Sequence, residues 1–197
     1  MQHQFSSVTD PVQPTVGTCL IAQLEAAGIR HAFGIPGDYI LKFYEALYHS
    51  GIQHIGTTRE DTAAFAADAY ARCSGLGVVV VTYGVGALSC INAIAGANAE
   101  SSPVIIVSGA PGTDEQAGDI LLHHRFGPYR YQREIFKHIC CITAVLDDAS
   151  TAMAHIEEAI YAAQRHSRPA YIELPRDMVD RPAFFKPTQA QIGRAHV

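Results

Sequence analysis

The chain has 197 residues, of which 48% are hydrophobic and 17% charged, and carries a formal net charge of −5. That length suffices for one globular domain with a full core, and with no basic face in the sequence nucleic acid is not an expected partner. No apolar run approaches the ~20 residues of a membrane span. The first residues, MQHQFSSVTDPVQP, lack the apolar core of a signal peptide. The cysteines, Cys19, Cys73, Cys90, Cys140 and Cys141, show no CxxC spacing. They read as reduced thiols of a cytoplasmic protein, not as metal ligands or disulfides. The low charge fraction also suggests a surface partly covered by another domain or subunit.

In chain order, residues 1–11 read as a loose leader. Residues 14–27 have helical spacing (Val16, Leu20, Leu24), with Pro14 near the start and Gly28 at the end. His31–Ile35 is a short strand leading into Pro36-Gly37-Asp38. Tyr39–Tyr48 is amphipathic, with Ile40, Phe43, Tyr44 and Leu47 on one face. Ile52–Thr57 is a strand, followed by an alanine-dense helix that opens at Glu60. Val78–Tyr83 is an unbroken apolar run of the kind buried on both faces of a parallel sheet. Gly84-Val85-Gly86 turns the chain into a helix over Ala87–Ala99, and Val104–Ser108 is another buried strand. The stretch Gly109–Arg130, rich in glycine, proline and histidine, reads as a loop too long for a plain connection, and therefore as functional. Ile139–Val145 is a strand, Ser150–His166 a helix and Ala170–Leu174 a last strand.

Strand and helix alternate about six times. The expected fold is α/β, a three-layer α/β/α arrangement around a mainly parallel six-stranded sheet. In such sheets ligands gather at the carboxyl ends of the strands. The residues that follow the strands are Gly37-Asp38, Glu60, Gly84-Val85-Gly86 and the segment bearing His123-His124. All fall on one edge.

Each admits a plain alternative. Glu60 reads as a capping acid, favoured by the helix dipole, or as a carboxyl kept from water beside an apolar interior and suited to proton transfer. Asp38 reads as the N-cap of the next helix or as a polar site group. His123 and His124 are adjacent, and on an extended chain they point opposite ways and cannot readily share a metal. Gly84-Val85-Gly86 begins a dinucleotide turn, but Ser89 stands at the third glycine and no acid ends the next strand. A turn that lets a flat ligand approach the backbone is the reading kept. With no nucleophile marked by a neighbouring histidine, a cofactor would have to supply the difficult chemistry.

Four stretches carry a family resemblance: GIPGDYIL (34–41), REDTAAFAADAYAR (59–72), TYGVGALSCINAIAGANAESSPVIIVSGAP (82–111) and LLHHRFG (121–127), with RPAYIELPRD (168–177) closing the domain. The chain resembles, over residues 12–182, the N-terminal pyrimidine-binding domain of thiamine-diphosphate-dependent 2-keto acid decarboxylases. The resemblance implies the thiamine-diphosphate-binding fold and non-oxidative decarboxylation of a small 2-keto acid to an aldehyde and carbon dioxide. It implies that Glu60 hydrogen-bonds the aminopyrimidine ring and drives it to its imino form, and that Gly37, Thr82, Gly84, Val85 and Gly86 border the cofactor. It implies that Asp38, His123 and His124 serve later proton transfers, with Asp38 and His124 touching substrate. Mg2+ and the diphosphate belong, by the same resemblance, to a C-terminal domain, and the full enzyme is a homodimer or tetramer.

Arg59-Glu60-Asp61-Thr62 stands where the family usually has Asn-Glu-Leu-Asn, and Phe126 where leucine is commoner, which bears on substrate range. Residues 183–191 read as the start of a linker. Residues 192–197, IGRAHV, are what a common sequencing adapter would encode, so a non-native tail on a truncated gene fragment is expected there. Alternative readings are a separate pyrimidine-domain subunit of a two-chain sulfopyruvate or phosphonopyruvate decarboxylase, a non-catalytic nucleotide-binding module, and a carboligase, which the double histidine disfavours.

Overall fold

A computed structural model describes residues 13–183. The expected leader and tail lie outside these residues, as does all but the first residue of the expected linker. In chain order the elements are α1 (Val16–Ala26), β1 (His31–Gly34), α2 (Leu41–Tyr48), β2 (Gln53–Gly56), α3 (Glu60–Ser74), β3 (Gly77–Val81), α4 (Val85–Ser89) and α5 (Ile91–Ala99). They continue with β4 (Val104–Ala110), α6 (Thr113–Ala117), α7 (Arg130–Phe136), β5 (Ile142–Val145), α8 (Ala152–His166) and β6 (Ala170–Pro175).

The six described strands pair in parallel, in the order β2-β1-β3-β4-β6-β5. The central strands are those whose sequences are apolar without alternation. Every residue of β3, β4 and β6 is buried. Side chains alternate across the sheet and feed two cores. Val78, Val80, Ile105, Val107 and Ile172 meet Leu20 and Leu24 of α1, Phe43 and Leu47 of α2, and Ile156 of α8. On the opposite face Val79, Val81, Ile106 and Tyr171 meet Ala63, Ala67 and Ala71 of α3, Ile94 of α5 and Phe136 of α7. The result is the three-layer α/β/α arrangement that the alternation implies.

The strand order locates a crevice. From β1 the chain passes outward to β2, then crosses back so that β3 lies on the other side of β1. Helix α2, which follows β1, and helices α4 and α5, which follow β3, therefore cover opposite faces, and their starts diverge above the carboxyl ends of β1 and β3. α3 lies very close to the sheet. A Cβ on Gly77 would stand 2.1 Å from the Ala67 carbonyl oxygen and 3.2 Å from Ala71 Cβ. Alanine on the helix and glycine at the strand start permit that approach.

Local boundaries follow from nearby chemistry. Thr15 caps α1 in a reciprocal arrangement with Thr18, and Gly75, at φ 87°, ends α3. Four details depart from the sequence reading. The expected helix over 87–99 starts at Val85 and divides at Cys90 into α4 and α5. β5 begins at Ile142, because Ile139 to Cys141 close the turn after α7. Residues 109–130 are not one loop: β4 runs to Ala110 and α6 forms after it. Asp38 does not cap α2, whose first turn follows Ile40 with no side-chain cap bond. No helix among the described residues is long and apolar enough to cross a membrane.

Gly77→Ala should lower stability by about 1–3 kcal/mol, the usual cost of overpacking a core that cannot give way. Urea unfolding reads it, and an unchanged midpoint would mean that α3 can withdraw from the sheet.

Candidate functional site

Glu60 occupies the first turn of α3, as its place after β2 requires. It is half-buried, so this chain alone only partly excludes water from it. Arg59, the preceding residue, turns away to make a two-pronged bond to Asp61, Nε to Oδ1 at 3.1 Å and Nη2 to Oδ2 at 3.0 Å. Bonding to Arg59 holds the Asp61 carboxyl below its ordinary range. The nearby positive charge is thus engaged by Asp61, and Glu60 is left facing the crevice.

The turn after β3 lies opposite. A Cβ on Gly86 would stand 2.9 Å from Thr82 Cγ2 and 3.6 Å from Glu60 Oε1. Cys90 lies between turn and helix: its single S–H faces the Glu60 carbonyl at 3.4 Å and the Gly86 carbonyl at 3.5 Å and is shared between them. Burial, reinforced by the Glu60 charge, pushes the Cys90 thiol up to about 12, so it stays a donor. Gly84 adopts φ 69°, a conformation that side chains resist. The turn thereby presents Val85 outward, and this apolar side chain is 55% exposed. Thr82 Oγ1 is buried without a hydrogen-bond partner.

The remaining residues complete a continuous path. A Cβ on Gly37 would lie 2.6 Å from Thr82 Cβ, and one on Gly84 would lie 2.7 Å from the His124 carbonyl oxygen. The His124 and His123 rings meet edge to face at 4.6 Å, and His123 Nε2 lies 3.3 Å from Asp38 Oδ2. The reading of the two histidines as pointing apart rested on an extended backbone. His124 has φ 65°, which turns the chain and brings the rings into contact. Among the described residues no group of three or more His, Cys, Asp or Glu is arranged to hold a metal ion.

Several site-building residues carried no signal of their own in the sequence. Gln132 is fully buried, accepts from the Gly84 amide at 2.6 Å, and donates to Ser108 Oγ at 2.9 Å and Tyr171 Oη at 2.7 Å. Tyr171 in turn donates to Glu173 Oε2 at 2.8 Å. A chain of buried polar groups therefore holds the Gly84 turn from beneath. Arg176 pairs with Glu115 in two bonds, one of them Nε to Oε2 at 3.0 Å, and lies over the Tyr39 ring at 5.4 Å. Asp177 accepts from the Thr113 amide at 3.0 Å and hydroxyl at 2.7 Å, anchoring α6. Gln132, Thr113 and Glu115 lie outside every family-like stretch, whereas Tyr39, Ser108, Tyr171, Glu173, Arg176 and Asp177 lie within one.

A carboxyl at a helix start faces a bare backbone turn, an orphaned hydroxyl and an exposed valine, and this matches a flat, polar heteroaromatic ring. The family description "Thiamine pyrophosphate enzyme, N-terminal TPP binding domain" matches residues 14–135. The chain belongs to the thiamine pyrophosphate enzyme family. It is 43% identical over 171 residues to the probable pyruvate decarboxylase Pdc101 of Schizosaccharomyces pombe, covering 85% of this chain and 30% of that protein. It is 45% identical over 163 residues to the indole-3-pyruvate decarboxylase of Azospirillum brasilense, covering 82% and 30%. It is 39% identical over 171 residues to the alpha-keto-acid decarboxylase of Mycobacterium leprae, covering 85% and 30%. The chain thus spans about 30% of the length of these curated relatives. Thiamine diphosphate is the cofactor of the family, and Glu60, Thr82 and the Gly84-Val85-Gly86 turn are groups here that could hold its ring.

Glu173 under the turn gives a signed prediction. Burial raises its pKa above the ordinary carboxylate range, against the bond from Tyr171. The native state therefore favours the protonated acid. That contribution is complete below the unfolded-state pKa and is lost as pH rises through the folded one. Urea midpoints measured from pH ~4.5 to ~8 should fall in the parent chain and fall less in Glu173→Gln. Parallel profiles would mean that Glu173 ionises as freely folded as unfolded.

Proposed function

We propose that this chain is the pyrimidine-binding part of a decarboxylase that converts a 2-keto acid into an aldehyde and carbon dioxide. The observation that carries the reading is the single contact path from Glu60 through Gly86, Thr82 and Gly84 to His124, His123 and Asp38. It puts a lone carboxyl on one side of an apolar, backbone-lined turn and a carboxyl–imidazole cluster on the other. The named relatives act on pyruvate, indole-3-pyruvate and alpha-keto acids, which supports the substrate class.

Glu60 would hold the ring by a hydrogen bond and keep a proton at its nitrogen. A carboxyl bonded to a ring nitrogen suits repeated proton exchange at one atom. Val85 offers the ring an apolar face, and the backbone of Gly84 and Gly86 admits it closely. When bound, thiamine diphosphate would supply a nucleophilic, carbanion-like carbon for addition to the keto group, set in a cationic ring able to take up the electron pair released with carbon dioxide. Asp38, His123 and His124 would orient the substrate and deliver the proton that the product acquires. An apolar surrounding aids loss of a carboxylate, because its concentrated charge is better solvated by water than the dispersed charge that follows.

Mg2+ and the diphosphate are assigned to a second domain, contributed by another subunit of a homo-oligomer, so the chain by itself is expected to be inactive. Its cysteines are unpaired thiols among the described residues, which supports a cytoplasmic setting.

The test grafts the domain onto the remaining domains of a related decarboxylase and follows carbon dioxide release from pyruvate, phenylpyruvate and indolepyruvate. Glu60→Gln should lower kcat at least ~100-fold, the scale of a lost acid–base group. Asp38→Asn and His124→Ala should stall turnover after substrate addition. A Glu60→Gln graft running at near-parental rates would remove the role given to Glu60.

A further inference from the structure

We propose that Tyr39 is a positioning residue that sets the tautomer of His123, so that the Asp38–His123 pair holds one transferable proton. The catalytic use of that proton rests on the function proposed above. The tautomer itself does not.

Tyr39 is fully buried and held on every side. Its ring stacks on His123 at 4.8 Å and 22°, meets Tyr83 edge-on at 5.6 Å, and lies under the Arg176 guanidinium. Its hydroxyl faces two atoms of one residue: it donates to the His123 carbonyl at 2.8 Å and lies 3.3 Å from His123 Nδ1. A phenol has one proton. A carbonyl oxygen can only accept, so that proton belongs to the carbonyl, and Nδ1 meets a lone pair on Tyr39. Nδ1 must therefore carry a hydrogen. Burial raises the Tyr39 pKa, which keeps the hydroxyl intact.

The consequence appears at the other ring nitrogen. With Nδ1–H engaged by Tyr39, a neutral His123 presents a lone pair at Nε2. Asp38 Oδ2 lies 3.3 Å away. An ionised carboxylate facing an imidazole lone pair would be two acceptors with nothing between them. The direct contact is a hydrogen bond only with one proton in it, on the carboxyl oxygen or on Nε2 of an imidazolium. Without the Tyr39 hydroxyl, a neutral His123 could take the Nε2–H form and satisfy an ionised Asp38 with no additional proton. The hydroxyl thus turns an ordinary Asp–His contact into a loaded one. On transfer, the proton moves to an adjacent acceptor and leaves a carboxylate beside an Nδ1–H imidazole. Water can recharge the pair, since the side chains are 49% exposed at His123 and 70% at Asp38.

The test needs neither cofactor nor substrate. Long-range 1H–15N correlation spectra of the histidine-labelled chain read the tautomer of each ring. Two rings serve as internal references because each meets a backbone carbonyl: His155 must be Nδ1–H, facing the Val145 oxygen at 3.1 Å, and His54 must be Nε2–H, facing the Gly34 oxygen at 3.1 Å. His123 should show a protonated Nδ1. In Tyr39→Phe, which keeps the stacked ring, it should shift to the Nε2–H pattern while both references stay in place. An unprotonated Nδ1 in the parent chain would overturn the proposal without any variant. So would a Tyr39→Phe spectrum identical at His123. In the grafted enzyme Tyr39→Phe should lower kcat by roughly tenfold with KM little changed. A tautomer shift with no change in kcat would leave the positioning intact and count against the proton-transfer role of the pair.

Discussion

The close approach of α3 to β3 is the constraint on which the site depends. Where the Ala67 carbonyl passes Gly77, no side chain separates helix from sheet. A bulkier helix would stand further off and carry Glu60 away from the Gly84 turn. The alanines contribute little hydrophobic area each. They serve by being small, which lets a carboxyl at the helix start and a backbone turn at the strand end share one crevice. Cys90 then fastens the two together from the buried side, as a thiol whose proton is secured by its lack of contact with water.

The opposite wall of the crevice is built differently. The segment around His123 and His124 has no regular structure of its own and is held by tertiary contacts. His124 rests its backbone against Gly84, and His123 is stacked on a tyrosine fixed in turn by an arginine–glutamate pair. Rigidity in that wall comes from aromatic faces and charge-assisted bonds. Both walls meet at Gly84, whose amide is held by Gln132. The Gln132 amide group bonds to three different partners, and only one of them belongs to the crevice. A buried polar chain of this kind stiffens a turn at the cost of desolvating several groups, Glu173 among them.

The sequence alone determined the fold class and the strand-end location of Glu60, Asp38 and the Gly84 turn. Strand and helix periodicities differ, and the fully apolar, β-branched runs at Val78–Val81 and Val104–Val107 read as interior strands of a parallel sheet. Once the sheet is parallel, whatever follows each strand lies on one edge. The motif at Glu60 and the double histidine also placed the chain beside its family before any contact was known. What only the tertiary structure decided was how those residues meet. Asp38 caps no helix because α2 starts later, and its partner lies far along the chain at His123. The histidine rings touch where one backbone angle is reversed at His124, and the chain there packs against Gly84. α6 is too short to leave a periodic trace, and it forms because Asp177 and Arg176 hold it from a distant part of the chain. Gln132 and Tyr39 are ordinary residues in composition. Their roles arise from the donors and acceptors that folding sets around them, and hydrogen-bond partners so distant in sequence leave no pattern in it.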